Sequence, residues 1–267
     1  MANFTSNTYT LKRKILTFSN KISKQLSKPD RKFTADITYG MLASQSCLLT
    51  DVVDQLHEDS KKINIVDRLS RHLDKGIPAK AAVSYLQMLK KWIPSEPVIH
   101  IDDSDVVKPD GYKFESLGIV RDGSESTSSK NVYKKGYHVT EACVLTGNNH
   151  PVSIFSRWKI EEYFRCKKQM FQFENFRVRK LCAINALNFY ITLCMAFLTM
   201  ISMESESNAL KVAIIKTADP VKEKVFFCYY RLAKGISGIL SYAKEGVRLW
   251  FRTKRPAYRQ LCLKLVA

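Results

Sequence analysis

The feature that most constrains this fold is an uncharged stretch, residues 181–203, with the sequence LCAINALNFYITLCMAFLTMISM. It is long enough to cross a bilayer as a helix, so a transmembrane segment is one interpretation. However, Asn185, Asn188 and Thr192 interrupt the apolar residues, and the stretch directly continues a charged segment typical of soluble helices. We therefore expect a helix of a globular protein, with its apolar surface either packed or left exposed, and no membrane partner. A chain of 267 residues with 45% apolar side chains can form one or two such domains.

The chain is strongly basic, with a net charge of +18 and a pI of about 9.6, which indicates a polyanionic partner. Basic and acidic side chains number 16 and 8 over residues 1–95, 6 and 9 over 96–156, and 21 and 8 over 157–267. An acidic centre between basic flanks suits a metal-dependent enzyme that acts on DNA. Seven cysteines without a close pair predict reduced thiols, and the N-terminus lacks an apolar signal core. These features predict a cytoplasmic, nucleoid-associated protein.

Residues 1–95 show helical periodicity broken by turn signals, which predicts a small all-helical module. Pro29 and Asp30 are positioned to open a helix, and Gly76 with Pro78 ends a later one. A helix-turn-helix around residues 42–73 would bring a set of basic residues together: Lys61, Lys62, Arg68, Arg71 and His72. One interpretation is a DNA-binding module. The other is a helical cap with a solvated basic surface.

Residues 96–156 read as short strands. The β-prone run VIHI, residues 98–101, is expected to deliver Asp102, Asp103 and Asp105 at its end, either for a cation or to cap the turn that follows. Further strands are expected on both sides of a Ser-rich loop. Gly147 and the two asparagines after it predict a hairpin between YHVTEACVLT and PVSIFS. Asp122 and Glu141 are expected to be loop and solvent-face residues. Strands between helical segments predict an α+β fold.

Residues 157–180, RWKIEEYFRCKKQMFQFENFRVRK, contain no Gly or Pro and predict one long helix. Helical spacing places Arg157, Glu161, Arg165 and Lys168 on one face. A carboxylate among three cations suits a metal and phosphate site, whereas the alternative is a solvated face of i,i+4 ion pairs.

The spacing of Arg157, Glu161 and Lys168 resembles the Tyr-Arg-Glu-Lys signature of bacterial insertion-sequence DDE transposases, although Ile154 stands at the position of the tyrosine. The resemblance implies an RNase H-like core in which two aspartates and one glutamate hold two Mg²⁺ or Mn²⁺ ions. It implies that Asp103, which precedes Ser104, and Glu161 are catalytic metal ligands, with Asp102 as the reserve. It also implies that Arg157, Arg165 and Lys168 contact the phosphates of the transposon ends.

One part of the family pattern is missing. No aspartate lies between Asp122 and Glu161, and PVSIFS runs directly into RWKIEEYF, which predicts an internal deletion near residues 156–157. The expected organisation is a DNA-binding module at 1–95 and a truncated catalytic domain at 96–267, with three antiparallel strands, a long Glu-bearing helix and C-terminal helices. Residues 220–267, rich in basic and aromatic side chains, are also expected to contact DNA.

The resemblance implies cut-and-paste DNA transposition, with catalysis defective in this chain because the second aspartate is absent. The alternative is a non-enzymatic DNA-binding repressor or inhibitor of transposition. The expected partners are double-stranded DNA carrying terminal repeats and, as protein partners, a second copy of the chain or an intact transposase.

Overall fold

A computed structural model of the chain describes residues 2–147, 150–154, 159–218 and 229–243, with side chains described from residue 6 and, in the third range, from residue 165. It is 54% helical and 13% strand, with one small antiparallel sheet of four strands. The predicted α+β class is confirmed. The helices are α1 (Ala2–Ser23), α2 (Lys28–Ser44), α3 (Leu49–Asp54), α4 (Lys62–Leu73), α5 (Ala79–Leu89), α6 (Lys159–Met170), α7 (Leu181–Ser202), α8 (Ala209–Thr217) and α9 (Tyr229–Leu240). The strands are β1 (Ile99–Val107), β2 (Gly118–Arg121), β3 (Tyr133–Leu145) and β4 (Pro151–Ser153).

The helical core forms around α2 and α7. All side chains of α2 from Phe33 to Ala43 are buried, and α7 is buried on nearly every side. α2 packs against α1, α3, α7 and α9, so helices from both sides of residue 95 share one apolar core. The predicted start of a helix at Pro29 and Asp30 is confirmed. Ser27 caps α2 by accepting a hydrogen bond from the Asp30 amide.

Helix α7 is long and apolar enough to cross a membrane. However, 72% of its most apolar 18-residue segment is buried inside the protein. Several of its polar side chains form hydrogen bonds within the fold. Thr199 contacts the hydroxyl of Tyr229, and Thr192 contacts a lysine of α6. These contacts explain why polar residues interrupt the apolar sequence. The expectation that the chain has no membrane partner stays a prediction.

The sheet has β1 and β2 as neighbours of the long strand β3, and β4 also pairs with β3. All pairings are antiparallel, so the predicted β3–β4 hairpin is confirmed. β1 continues to Val107, so the prediction that Asp102, Asp103 and Asp105 follow the strand is wrong: they lie within it. Thr140 and His138 opposite them bind Asp103 and Asp105, which lets the acidic run stay in the strand.

The predicted long helix at 157–180 ends at Met170, followed by left-handed Gln172 and a short 3-10 turn, Phe173–Asn175. The cause is aromatic burial. Phe171, Phe173 and Phe176 are all at most 2% exposed, yet on a continuous helix Phe171 and Phe173 would point to nearly opposite sides. Leaving the helix allows all three rings to enter the core.

The predicted helix-turn-helix is not a compact one. α3 has only six residues, and residues 55–61 separate it from α4, which is longer than the three- to four-residue turn of that motif. Arg68 of α4 binds Asp36 and Glu58. Further ion pairs near α4 include Lys62 with Asp54, Arg71 with Asp67, and Lys75 with Asp30. The basic cluster of the N-terminal region is therefore largely neutralised in place.

Candidate nucleic-acid interface between β1 and α6

Strand β1 and helix α6 meet at an open cleft of about 540 Å³. Its lining residues are Asp102, Asp103, Ser104, Arg165, Lys168, Gln169 and Glu174. The strand segment and the helix segment, which were predicted from separate parts of the sequence, thus adjoin one another. Asp103, Arg165 and Lys168, three of the predicted site residues, line the same surface.

Lys168 connects α6 to the edge of the sheet. Its Nζ donates to the main-chain oxygen of Asp105 at 2.9 Å and pairs with Glu174 Oε1 at 2.9 Å. The lysine side chain is 25% exposed, so the ammonium group is held at the cleft and remains accessible to solvent. Arg165, one turn earlier, is exposed at the same cleft. Lys168, held by two oxygens, and Arg165, exposed to solvent, can contact successive phosphates of a nucleic-acid backbone.

Asp102 and Asp103 point to opposite faces of β1, because side chains alternate along a strand. Asp103 is exposed and accepts a hydrogen bond from Thr140, its partner on β3. Asp102 pairs in register with Glu141, so these two carboxylates share the face on which α6 packs. The structure favours Asp102, the reserve choice, as the aspartate that faces α6.

Glu141 is not a solvent-face residue, and that prediction is wrong. It is 5% exposed, and its carboxylate binds the Nζ of Lys167, which is fully buried. Lys167 Nζ lies 2.7 Å from Glu141 Oε2, 2.8 Å from Thr192 Oγ1 and 3.0 Å from Asn188 Oδ1. Ser153 Oγ completes the group by donating to Glu141 Oε1 at 3.0 Å. β3, β4, α6 and α7 therefore meet at one satisfied ion pair, which makes burial of two charges tolerable.

The sequence does not predict the position of Lys167. The available signal was the pair Asn188 and Thr192, which lie four residues apart in the uncharged stretch and therefore on one face of α7. Two polar side chains aligned on a helix too apolar for solvent indicate a buried polar partner. The identity of that partner is not encoded locally, because Lys167 lies on another helix.

Asp122 lies in the loop after β2, as predicted, and it is buried at 4% exposure. Its Oδ1 accepts from the amide of Ser124 at 3.0 Å, and its other oxygen pairs with Lys134 at 2.9 Å. Hydrogen bonds from Ser124 and then from Lys134 hold the pKa of this carboxyl well below its usual range. Asp122 therefore organises the Ser-rich loop.

The described residues do not fit a two-metal centre. Adjacent Asp102 and Asp103 diverge, and both oxygens of Glu141 are engaged by Lys167. Among the side chains described, no group of three His, Cys, Asp or Glu residues is placed to hold a metal ion. Glu161 lies on the backbone of α6, but its side chain, like all of Arg157, is outside the described residues. The expected Mg²⁺ or Mn²⁺ ligation by Asp103 and Glu161 stays a prediction.

Most of the basic, aromatic segment at 220–267 lies outside the described residues, which include only 229–243 of it. Comparisons of this chain with protein-family models, with curated proteins and with solved structures found no match. The fold and the cleft define an α+β protein with a mixed-charge surface between a strand and a helix.

Proposed function

We propose that this chain is a DNA-binding protein of the insertion-sequence DDE transposase type, internally truncated, that holds duplex DNA with little or no strand cleavage. The observation that carries the proposal is the cleft between β1 and α6. There, Arg165 and Lys168 stand beside Asp102 and Asp103, although these pairs are far apart in the sequence.

Binding is supported by the charges around this cleft. Lys168 is positioned by two oxygens at 2.9 Å, and Arg165 is exposed at the same cleft, so both cations line a surface that a phosphate can reach from solvent. The net charge of +18 adds long-range attraction for DNA over the whole surface. Phosphate contacts of this kind supply most of the sequence-independent affinity of DNA-binding proteins.

Weak or absent cleavage is supported by the use of the carboxylates. Phosphoryl transfer by paired metals requires two cations about 3.5–4 Å apart, clamping the attacking and leaving oxygens. Glu141, the carboxylate beside Asp102, holds Lys167 instead. Lys167 contributes one fixed positive charge. A catalytic metal centre instead needs coordination positions at which substrate oxygens can replace one another. A protein that occupies transposon ends in this way acts as a repressor or inhibitor of transposition, alone or with an intact transposase.

The binding experiment is a fluorescence-anisotropy titration of a short duplex of random sequence at several salt concentrations. If at least six phosphates are contacted, the affinity should fall by roughly a thousandfold between 50 and 200 mM salt. Arg165→Ala should weaken binding and reduce the salt slope by about one. Arg71→Ala is the matched control, because Arg71 is an exposed arginine of α4 paired with Asp67.

Salt-independent binding would contradict the proposal, and so would preferential partitioning of the chain into anionic vesicles. An equal loss with Arg71→Ala and Arg165→Ala would indicate a general effect of net charge and would contradict the cleft as the DNA interface.

Cleavage is tested with supercoiled plasmid in Mg²⁺ or Mn²⁺. We expect no nicking above a buffer control. Nicking that disappears in Glu161→Ala would refute the non-cleaving proposal and restore the transposase activity implied by the sequence resemblance. Nicking that persists in that variant indicates a contaminating nuclease.

A further inference from the structure

Strand β1 has a free edge. It pairs with β3 along its whole length, and no strand among the described residues adjoins its other side. Ile99 and Ile101 on this strand are 58% and 61% exposed. An exposed edge with apolar side chains is a template for pairing with a further strand.

The hydrogen-bond pattern identifies the groups at that edge. Lys108 N donates to Lys135 O just beyond the β1–β3 register. Main-chain groups in an antiparallel pair alternate in direction, so even-numbered residues of β1 bond to β3 and odd-numbered ones point away. The amides and carbonyls of Ile99, Ile101 and Asp103 therefore face the free edge. The carbonyl of Asp105, which also faces it, is bound by Lys168 at 2.9 Å.

We propose that the chain forms a symmetric dimer in which β1 of one copy pairs antiparallel with β1 of a second copy, centred on Ile101. In this register Ile101 faces Ile101 of the second copy, and Ile99 faces Asp103 of the second copy. Between them, His100 of each copy faces Asp102 of the other. Each dimer thus gains two His–Asp cross-strand pairs, an arrangement that stabilises a sheet.

The ends of the segment fit the same register. Pro97 would face Asp105 of the second copy. A residue at the position of Pro97 would normally donate its amide hydrogen to the Asp105 carbonyl. Proline has no amide hydrogen to donate, and the Asp105 carbonyl already accepts from Lys168. Neither group loses a partner, so the free edge from Val98 to Ser104 is self-complementary.

The neighbouring registers are less favourable. A centre at Asp102 or at Asp103 sets like charges directly opposite each other, which destabilises a strand pair. A centre at His100 places Pro97 opposite Asp103, whose free carbonyl then lacks a donor. The second copy is favoured over an unrelated basic strand because one register pairs His100 with Asp102, sets Ile101 against Ile101 and matches both ends.

The first test measures the mass of the full chain by sedimentation equilibrium at micromolar concentrations. The wild type should dimerise, and Ile101→Lys should raise the dissociation constant at least tenfold. Ile119→Lys is the matched control, since Ile119 is a 65% exposed isoleucine on β2. Circular dichroism verifies that both variants remain folded. A monomeric wild type overturns the proposal, and so does equal loss of dimer in the two variants.

The second test is a charge exchange that also specifies the register. His100→Asp and Asp102→His, made singly, should each weaken the dimer about fivefold, because each sets like residues opposite each other in both halves of the interface. The double variant restores opposite pairs and should dimerise within about twofold of wild type. Failure of the double variant to recover would overturn the Ile101-centred register.

Discussion

The buried pair of Lys167 and Glu141 offers the strongest test of how the sheet is attached to the helices. We consider Lys167→Met, which keeps the length of the side chain and removes its charge. The carboxylate of Glu141 then retains only the hydroxyls of Ser153, at 3.0 Å, and Thr192, at 3.4 Å. Removing one partner of a buried ion pair costs about 3–5 kcal/mol, because the remaining charge is left in the interior.

Proton uptake limits this cost. A buried glutamate that has lost its partner can bind a proton and become neutral. Protonation costs about 1.4 kcal/mol for each pH unit above roughly 4.3, the ordinary pKa of a glutamate. At pH 7 the loss in unfolding free energy is therefore capped near 3.7 kcal/mol, and at pH 5 near 1 kcal/mol. The distinctive expectation for Lys167→Met is a destabilisation of about 3 kcal/mol that fades as the solution is acidified.

The measurement is urea denaturation followed by circular dichroism at pH 5 and pH 7. In the double variant Glu141→Gln with Lys167→Met, no charge is left unpaired, so its stability should lie within about 1 kcal/mol of wild type. Arg71→Met, which breaks the exposed pair with Asp67, should change stability by less than about 0.5 kcal/mol. A loss in Lys167→Met below about 1 kcal/mol at pH 7, or an equal loss in the double variant, would refute the reasoning.

Two further predictions concern the helical core. Burial, as the largest cause, raises the pKa of Asp36 to about 6. Since the folded state then binds a proton that the unfolded chain releases, the unfolding free energy should fall by roughly 2 kcal/mol as pH rises from 4 to 6. Asp36→Asn should remove that decrease from the urea transitions, whereas an unchanged pH profile would refute it. Gly235→Ala should destabilise by about 3 kcal/mol, because its new Cβ would lie 2.0 Å from Ile214 O; Gly123→Ala, with nothing within 4 Å, is the control in the same thermal-melting assay.

The sequence predicted well those elements whose signals are local. The helix over 181–203, the helix start at Pro29 and Asp30 and the β3–β4 hairpin were recognisable because composition, helix-start residues and turn residues act over a few positions. The adjacency of β1 and α6 was anticipated through the resemblance to transposases, not through periodicity. The end of α6 was missed because it depends on where three aromatic rings find space in the core.

The exposure of Glu141 was mispredicted for a related reason. A single glutamate in an alternating strand is usually placed on the solvent side, and only the arrival of Lys167 from a distant helix reverses that expectation. Strand β1 continues through both Asp102 and Asp103, so side-chain alternation places only Asp102 on the face that α6 covers. Pairings between distant elements are set by tertiary structure, so no local window of sequence contains them.

The group formed by Lys167, Glu141, Asn188, Thr192 and Ser153 also restricts how the chain can misfold. Apolar surfaces tolerate sliding, because contact with any neighbouring apolar atom is nearly equivalent. Directed bonds to a single ammonium are not interchangeable in this way. A slip of β3 by one residue would turn Glu141 to the opposite face of the sheet. Lys167 would then be buried without its counter-charge. The sheet consequently has one acceptable docking position on the helices. Any slightly shifted position has a higher free energy, because it leaves the charge of Lys167 buried and unpaired.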